Sequence, residues 1–446
     1  MKRTIITFIC GYFLTGLVCG QEPTKQWTFN ECVQYALQHN IQIQQKELQT
    51  EDAGVQVNTA KMSRLPNLNM GIDQSWNFGR SNQNLSGIYE EQQISNTSMG
   101  VSSAVPIFTG WRITHEIEQK KLDFVAATHS LNRAKEDLAL QVASLYLQVL
   151  FNKEILMIAE NQWKLTQDQV GRTQALVKVG KVPESQLYDI RAQAAQDEVR
   201  VSEATNNLQL ALLDLAQNLE LTNIAAFDIA TPDMEKQLQD NLKGLQLPDE
   251  IYQQAVAVKP IIKEQETLLE SSKSGLGIAR SGYYPKLDLN LRYSNNYFYR
   301  YGSDNIPFSD QFKNNSGEMI GLSLSIPIFN RFQVRNQVRR AQLNIQNQQL
   351  VLENTRKILY KEIQTAYYNA VGAQEKLKAA AQSVDAAGES FKYATERYEA
   401  GKTSVFEFNE AKNRMTQSIS EQTQAKYDYV FRSKILEFYR GSGINL

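Results

Sequence analysis

The chain has 446 residues, with 47 basic against 48 acidic side chains and three cysteines. That balance leaves no basic excess to neutralise phosphates, which excludes nucleic acid as an expected partner. The length allows two or three ordinary domains. Scarce proline, abundant Gln, Ala, Leu and Asn, and charges interspersed rather than blocked favour long solvated helices.

The first residues read as an export signal. Lys2 and Arg3 precede an apolar run from Ile5 to Val18, then small residues, then polar sequence from Gln21. This pattern predicts a signal peptide over 1–20, cleaved near Gly20. Leu17 and Val18 stand where a lipobox wants a small residue and its neighbour, so no lipid anchor is expected on Cys19. With the signal removed only Cys32 is left, and one cysteine forms no internal disulfide. No other stretch approaches the roughly 20 apolar residues of a membrane helix. An exported chain of this kind is periplasmic, secreted or a β-barrel.

A helix is expected over about 28–63, followed by strands over about 66–78 and 97–108. In the first strand Leu68, Met70, Ile72, Trp76 and Phe78 alternate with Asn67, Asn69, Gly71, Asp73, Ser75 and Asn77. In the second, Met99, Val101, Val105 and Ile107 alternate with Ser98, Gly100, Ser102 and Ala104. Period two means one apolar face and one polar face. The turn between them, about 79–96, is rich in Asn, Ser, Gln and Gly. A proline-free run predicts a helix over about 113–178, on the order of 100 Å long at 1.5 Å per residue. A Gly-Lys turn and a returning helix over 184–220 follow. Apolar stripes such as Leu138, Val142, Leu145, Val149 and Leu156 are narrow, as suits helix-to-helix packing with the remainder wet. Residues 222–248, holding Pro232 and Pro248, read as a linker or short surface subdomain.

The same order then recurs: a helix over 249–282, strands over about 285–301 and 319–329, a long helix over 334–400, a turn, and a helix over 404–440. Leu287, Leu289, Leu291, Tyr293, Tyr297, Tyr299 and Tyr301 alternate with polar residues that include Asp288, Arg292 and Arg300. Ile320, Leu322, Leu324, Ile326 and Ile328 alternate with Gly321, Ser323 and Ser325. Pro327-Ile328-Phe329 repeats Pro106-Ile107-Phe108, Gly401-Lys402 repeats Gly180-Lys181, and Tyr367 repeats Tyr146, all at one offset. Nearer the start of each half Pro285 answers Pro66, Glu250 answers Glu31 and Ala255 answers Ala36, at an offset two residues shorter. The chain is therefore a tandem duplication of one unit.

Each strand is long enough to cross a bilayer when tilted. Aromatic residues gather at the strand ends (Trp76, Phe78, Phe108, Trp111, Tyr299, Tyr301, Phe329 and Phe332), the placement of an interfacial girdle. The charged polar face suits a water-filled lumen better than a soluble sheet. Four strands cannot close, and an open edge in lipid costs several kcal/mol per unpaired backbone group. Two copies would supply eight strands and three copies twelve.

With the duplication, the Pro-Ile-Phe closing each second strand, Pro66 and Pro285 before the first strands, and the Gly-Lys turns, the mature chain resembles the outer-membrane efflux proteins, the TolC-like channel-tunnels. The resemblance implies a mainly α fold with a membrane β-barrel part, built as a homotrimer: twelve strands form one outer-membrane barrel, continued by a long periplasmic α-helical barrel. It divides the mature chain into repeats over 21–221 and 249–446. It implies a passive exit duct in the cell outer membrane, in contact with outer-membrane lipid, with most of the chain in the periplasm. The partners implied are a periplasmic adaptor (membrane fusion protein) and, through it, an inner-membrane pump. Small-molecule efflux is the expected traffic; a duct for protein or peptide secretion is the alternative, and a periplasmic helical adaptor a more distant one.

The family's docking tip falls on Val179, Gly180, Lys181 and Val182 and on Ala400, Gly401, Lys402 and Thr403. Its pore constriction and gate fall on Tyr398, Glu407 and Glu410. Two family positions differ here: a gating aspartate is replaced by Gln186 and a gating arginine by Thr403. Glu407 and Glu410 share a helix face, and a trimer would gather six carboxylates around one axis. Ser404-x-x-Glu407 is also a capping box. His39, His115 and His129 lack metal-ligand spacing, Gly275-Leu276-Gly277 precedes a strand instead of following one, and no nucleophile arrangement is visible. No catalysis, cofactor or metal is expected.

Overall fold

The computed structural model describes residues 26–81, 90–222, 227–232, 238 and 245–441. The expected export signal, Cys19 and the tip of the first hairpin turn lie outside them. Helices α1 (Phe29–His39) and α2 (Ile41–Met62) lead into strands β2 (Asn69–Ser81) and β3 (Glu90–Phe108). Helix α3 (Arg112–Lys178) and the returning α4 (Glu184–Asn218) complete the first unit. The second has α5 (Pro248–Val258), α6 (Pro260–Ser281), β5 (Lys286–Arg300), a short α7 (Phe308–Asn314), β6 (Gly317–Ser325), α8 (Gln333–Glu399) and α9 (Val405–Tyr439). Two-residue strands β1 (Gln26–Trp27) and β4 (Asp228–Ile229) pair in parallel and pin the linker to the chain's start.

The single leading helix expected in each half is two helices. The first pair breaks at Asn40 and the second at Lys259, each with extended backbone. Asn40 accepts hydrogen bonds from the Gln42 and Ile43 amides and so starts α2. Pro260 starts α6, where its missing N–H costs nothing.

The four long strands form one antiparallel sheet in the order β2-β3-β5-β6. The register places Met70, Val101, Tyr293 and Glu318 in one row, and Met99, Leu289, Leu322 and Leu324 on the same face. That face is bare: Ile320 is 80% exposed and Leu322 69%. β2 and β6 each pair with one strand only among the described residues, so both edges are open.

Strand limits differ from expectation for local reasons. β3 begins at Glu90 rather than near 97, because it pairs with β2 along the whole of Asn69–Ser81. The register shifts between Pro106 and Phe108. Phe108 thereby sits opposite Leu287, and Ile107 drops out of the alternation expected for it. Proline has no N–H for the ladder, so a bulge is where a strand tolerates it. β6 stops at Ser325, short of Pro327, leaving Ile326 and Ile328 outside the strand.

The helices form one layer. α3 and α8, each 67 residues, run its full length, about 100 Å. α2 and then α4 flank α3, while α6 and then α9 flank α8 and bridge it to α3. The main core lies where α1, α3, α4 and the linker meet, around Val142, Tyr146, Leu150, Leu215 and Ile229. α3 is apolar enough over one 18-residue window, mean hydropathy 1.4, to pass for a membrane span. Its stripe from Leu138 to Leu150 is instead packed in this protein core. A smaller core joins α5, α6 and α8 around Ile251, Ile262, Leu359 and Ile363.

Candidate functional site

The end of the helical layer away from the sheet carries both helix reversals. Gly180 (φ 71°) and Gly401 (φ 67°) are left-handed. In each turn two amides close back on the preceding helix: Gly180 N on Val177 O and Lys181 N on Leu176 O, Gly401 N on Tyr398 O and Lys402 N on Arg397 O, all 2.8–3.0 Å. This is one C-capping motif used twice, and it requires a residue free of a Cβ penalty at the reversal. Val179, Gly180, Lys181, Ala400, Gly401 and Lys402 are exposed; Val182 and Thr403 are half-buried.

The structure brings the two turns together. Val405 packs with Leu187 and Ile190, and Val170, Val177 and Tyr398 pack against them. Arg172 reaches Glu399 across the turns at 3.6 Å. The Tyr398 ring stacks on Phe408 at 4.8 Å within its own hairpin. Glu407 and Glu410 are both exposed on α9, opposite the buried stripe of Val405, Phe408 and Lys412.

Neither carboxylate is bare. Thr403 donates its hydroxyl to Glu407, and Ser404 Oγ accepts from the Glu407 amide at 3.2 Å. Only that half of the expected capping box forms, since Thr403 takes the Glu407 carboxylate. Glu410 pairs with Arg414 one turn on, at 2.9 Å. An exposed pair of this kind contributes at most about 1 kcal/mol, but it halves the fixed negative charge expected along this face.

Sequence reasoning missed a buried polar cluster about 12 Å above the second turn, at 1.5 Å per residue. Lys412 of α9 and Asp197 of α4 are 3.4 Å apart, with side chains 1% and 0% exposed. Thr166 of α3 lies between them, donating to Asp197 and accepting from Lys412, both at 2.5 Å. Gln193 donates to the other Asp197 oxygen at 2.9 Å, Arg200 stands 3.6 Å from it, and Thr416 donates to Gln162 at 2.8 Å. Burial pushes the Lys412 ammonium below its ordinary pKa, and Asp197 draws it back. The cluster ties α9 to the α3–α4 hairpin. A signal for it exists in the sequence: Asp197 interrupts the stripe Leu187, Ile190, Ala194, and Lys412 interrupts Val405, Phe408. A charge on an apolar stripe implies a partner of opposite sign on the facing helix.

At the other end, the aromatic residues stand at the sheet's two rims. Phe108 meets Trp111 at 5.0 Å and Trp111 meets Tyr284 at 5.2 Å; Phe329 meets Phe332 at 5.8 Å. Trp76, Phe78, Tyr299 and Tyr301 are exposed at the far rim. Trp111 and Phe332 have left-handed backbone where α3 and α8 begin.

The chain resembles several channels along most of its length. It is 23% identical to the outer membrane protein TolC of Escherichia coli K12, over 96% of this chain and 84% of that one. It is 23% identical to the cation efflux system protein CusC of Escherichia coli O157:H7, over 74% and 68%. Crystal structures of CusC superpose with a TM-score of 0.77 at 19% identity, covering 93% and 92% of the two chains. The Campylobacter jejuni CmeC outer membrane channel superposes at 0.74 and 18% identity, over 100% and 95%. Residues 32–219 and 251–442 each match the outer membrane efflux protein family, and the chain belongs to that family.

Proposed function

We propose that three copies of this chain complete one twelve-stranded barrel, and that the channel passes small molecules handed to it by an inner-membrane pump through a periplasmic adaptor. The chain is an outer-membrane efflux channel. One observation carries the trimeric barrel: a four-stranded sheet with an exposed apolar face and two open edges sits on helices about 100 Å long. Lipid satisfies the face, and only strands of further copies satisfy the edges. α8 supports the same reading from the helical side. Leu350 and Tyr368 stand on it more than 60% exposed, an apolar outer flank that a neighbouring copy's α2 and α4 would cover.

In this reading a signal over 1–20 is removed, and repeats over 21–221 and 249–446 are joined by 222–248. Phe108, Trp111, Phe329 and Phe332 form the periplasmic girdle, and Trp76, Phe78, Tyr299 and Tyr301 the outer one. Val179–Val182 and Ala400–Thr403 meet the adaptor. Glu407 and Glu410 line the constriction, with Tyr398 holding the second hairpin against it. The Arg414 contacts make this ring less negative than six unpaired carboxylates.

The mass of the detergent-solubilised assembly tests the first part, and a dimer or monomer would overturn the twelve-stranded barrel. Single-channel current tests the constriction. Glu407→Ala with Glu410→Ala should weaken divalent-cation block, and unchanged block removes both residues from the pore. A deletion strain sensitised to toxic small molecules, with protein export intact, is the outcome expected for the cargo; the reverse outcome makes the chain a secretion duct.

A further inference from the structure

The connection between β5 and β6 is a built object. β6 ends its pairing at Gly317, opposite Ser294, so residues 295–300 of β5 have no strand beside them on that side. On the other side β3 continues up to Arg300. Side-chain amides replace the missing strand. Asn315 donates to Asn296 O at 2.7 Å. Gln311 accepts from Phe298 N at 3.0 Å and donates to Phe298 O at 2.9 Å. Asn305 accepts from Arg300 N at 2.7 Å and donates to Arg300 O at 2.8 Å. The residues served are 296, 298 and 300, whose backbone groups point to the side β6 has vacated. An edge closed in this way offers nothing to another strand.

The same contacts fix where α7 lies. Asn295 is 1% exposed and donates to Phe312 O at 2.5 Å. The Phe308 ring packs on Tyr297 at 5.2 Å and on Phe312 at 5.7 Å. The register runs unbroken from Leu289 to Arg300. Asn295 and Tyr297 therefore share the face of Leu289, Leu291 and Tyr293, and α7 lies on the apolar side of the sheet. The apolar side chains of α7 and of Ile306, two residues before it, remain outside: Ile306 is 58% exposed, Phe308 54% and Phe312 41%.

The height of α7 selects its partner. On this face the aliphatic band ends at the Tyr293–Glu318 pair on β5 and β6 and one row higher, at Ile72 and Met99 level with Asn295, on β2 and β3. Above Ile72 and Met99 come polar side chains, where Gln74 bonds both Ser95 and Thr97, and the exposed rings of Trp76 and Phe78. α7 lies beside Asn295–Phe298, just above Tyr293 and short of the Tyr299 and Tyr301 rings. Apolar and aromatic side chains at that level, continuous with a lipid-facing surface, match the boundary between acyl chains and headgroups. We propose that α7 is an interfacial anchor, seated on the outer leaflet with Ile306, Phe308 and Phe312 at the acyl boundary. The amide cap holds it there, outside the barrel mouth.

This rests on lipid covering the sheet's apolar face, so the test carries a separate control for that. Single cysteines at Phe308, Phe312 and Ile306, at the band position Leu322, and at the turn position Ser303 are spin-labelled in a Cys32→Ala background. Each full chain is reconstituted in vesicles and must conduct. Accessibility to oxygen, which partitions into lipid, is compared with accessibility to an aqueous nickel chelate. Labels at 306, 308 and 312 should favour oxygen several-fold, as at 322, with 303 reversed. Labels at 306, 308 and 312 that favour the nickel chelate, or that neither reagent reaches, overturn the anchor: α7 then faces water or is covered by a neighbouring copy. If 322 itself favours the nickel chelate, the lipid-facing reading fails and takes the anchor with it. Ile306 makes no ring contact in the cluster, so its label reports even if a change at Phe308 or Phe312 loosens the helix.

Discussion

The two halves of the chain agree in their helices and disagree in their strands. α1 and α5 both have 11 residues, α2 and α6 both 22, α3 and α8 both 67, and α4 and α9 both 35. The strand pairs have 13 and 19 residues in the first half but 15 and 9 in the second. Helix length fixes where every turn and cap falls along a tunnel shared by both halves, so a residue gained in one half would put its tip out of line. A hairpin can lengthen or shorten at its free rim without disturbing the rows below. The same Pro-Ile-Phe is thus absorbed as a bulge in β3 and lies beyond the end of β6. The room left above β6 is taken by α7.

Matched positions show equal geometry reached by different chemistry, and this makes the comparison testable. The largest effect is expected where the halves differ most. Asp197 and Thr166 face Lys412, whereas their counterparts Ser418 and Ala387 are an uncharged buried pair. Asp197→Ala leaves the Lys412 ammonium buried without its counter-charge and should lower unfolding stability in detergent by about 3–5 kcal/mol. Asp197→Leu combined with Lys412→Met should recover most of that loss. Equal losses from the single and double variants would mean that the pair is not what holds the hairpins together.

Next in size is the turn before each long helix. Gly110 and its counterpart Arg331 are both left-handed, at φ 63° and 53°. A Cβ at Gly110 would stand 2.7 Å from Ser281 O and 2.8 Å from Tyr284. Gly180 and Gly401 are equally left-handed with nothing within 4 Å. Gly180→Ala and Gly401→Ala should each cost only the left-handed penalty, about 1–2 kcal/mol. Gly110→Ala should cost clearly more, and thermal unfolding that ranks it with the other two would show that the loop yields freely.

Smaller again is the break in the leading helices. Asn40 caps α2 through its side chain, and replacing it by Ala should cost about 1 kcal/mol. Asn40→Asp should cost much less. At the matching site Lys259 caps nothing; its ammonium stands 3.2 Å from the centroid of the Phe438 ring and 3.1 Å from Glu136. Loss of α2 capping should therefore have no parallel in a Lys259→Met variant.

The smallest effect concerns Cys32, which matches Ile251; both are buried, in the larger and the smaller core. Burial pushes the Cys32 thiol up to about 12 from its ordinary 9.0. The folded chain keeps the proton between those values while the unfolded chain releases it. The thiol's contribution is therefore whole below pH 9 and declines as pH rises towards 12. By pH 9.5 about 0.7 kcal/mol should be lost, at about 1.4 kcal/mol per unit beyond the unfolded value. Cys32→Val should remove that part of the slope, and an unchanged slope would place its source elsewhere.

The sequence by itself determined the duplication, the four ribbons with one greasy face, the lengths of the long helices to within a residue, and both glycine reversals. All of these depend on local periodicity or on a backbone conformation that one residue type accepts, and such constraints are written where they act. Tertiary structure alone decided that Lys412 meets Asp197 across 215 residues, that Ile107 leaves its strand, and that Asn305, Gln311 and Asn315 stand in for a strand. Each of these turns on which groups two separate elements leave unsatisfied once they pack, and a buried charge or a free strand edge finds its partner only in three dimensions.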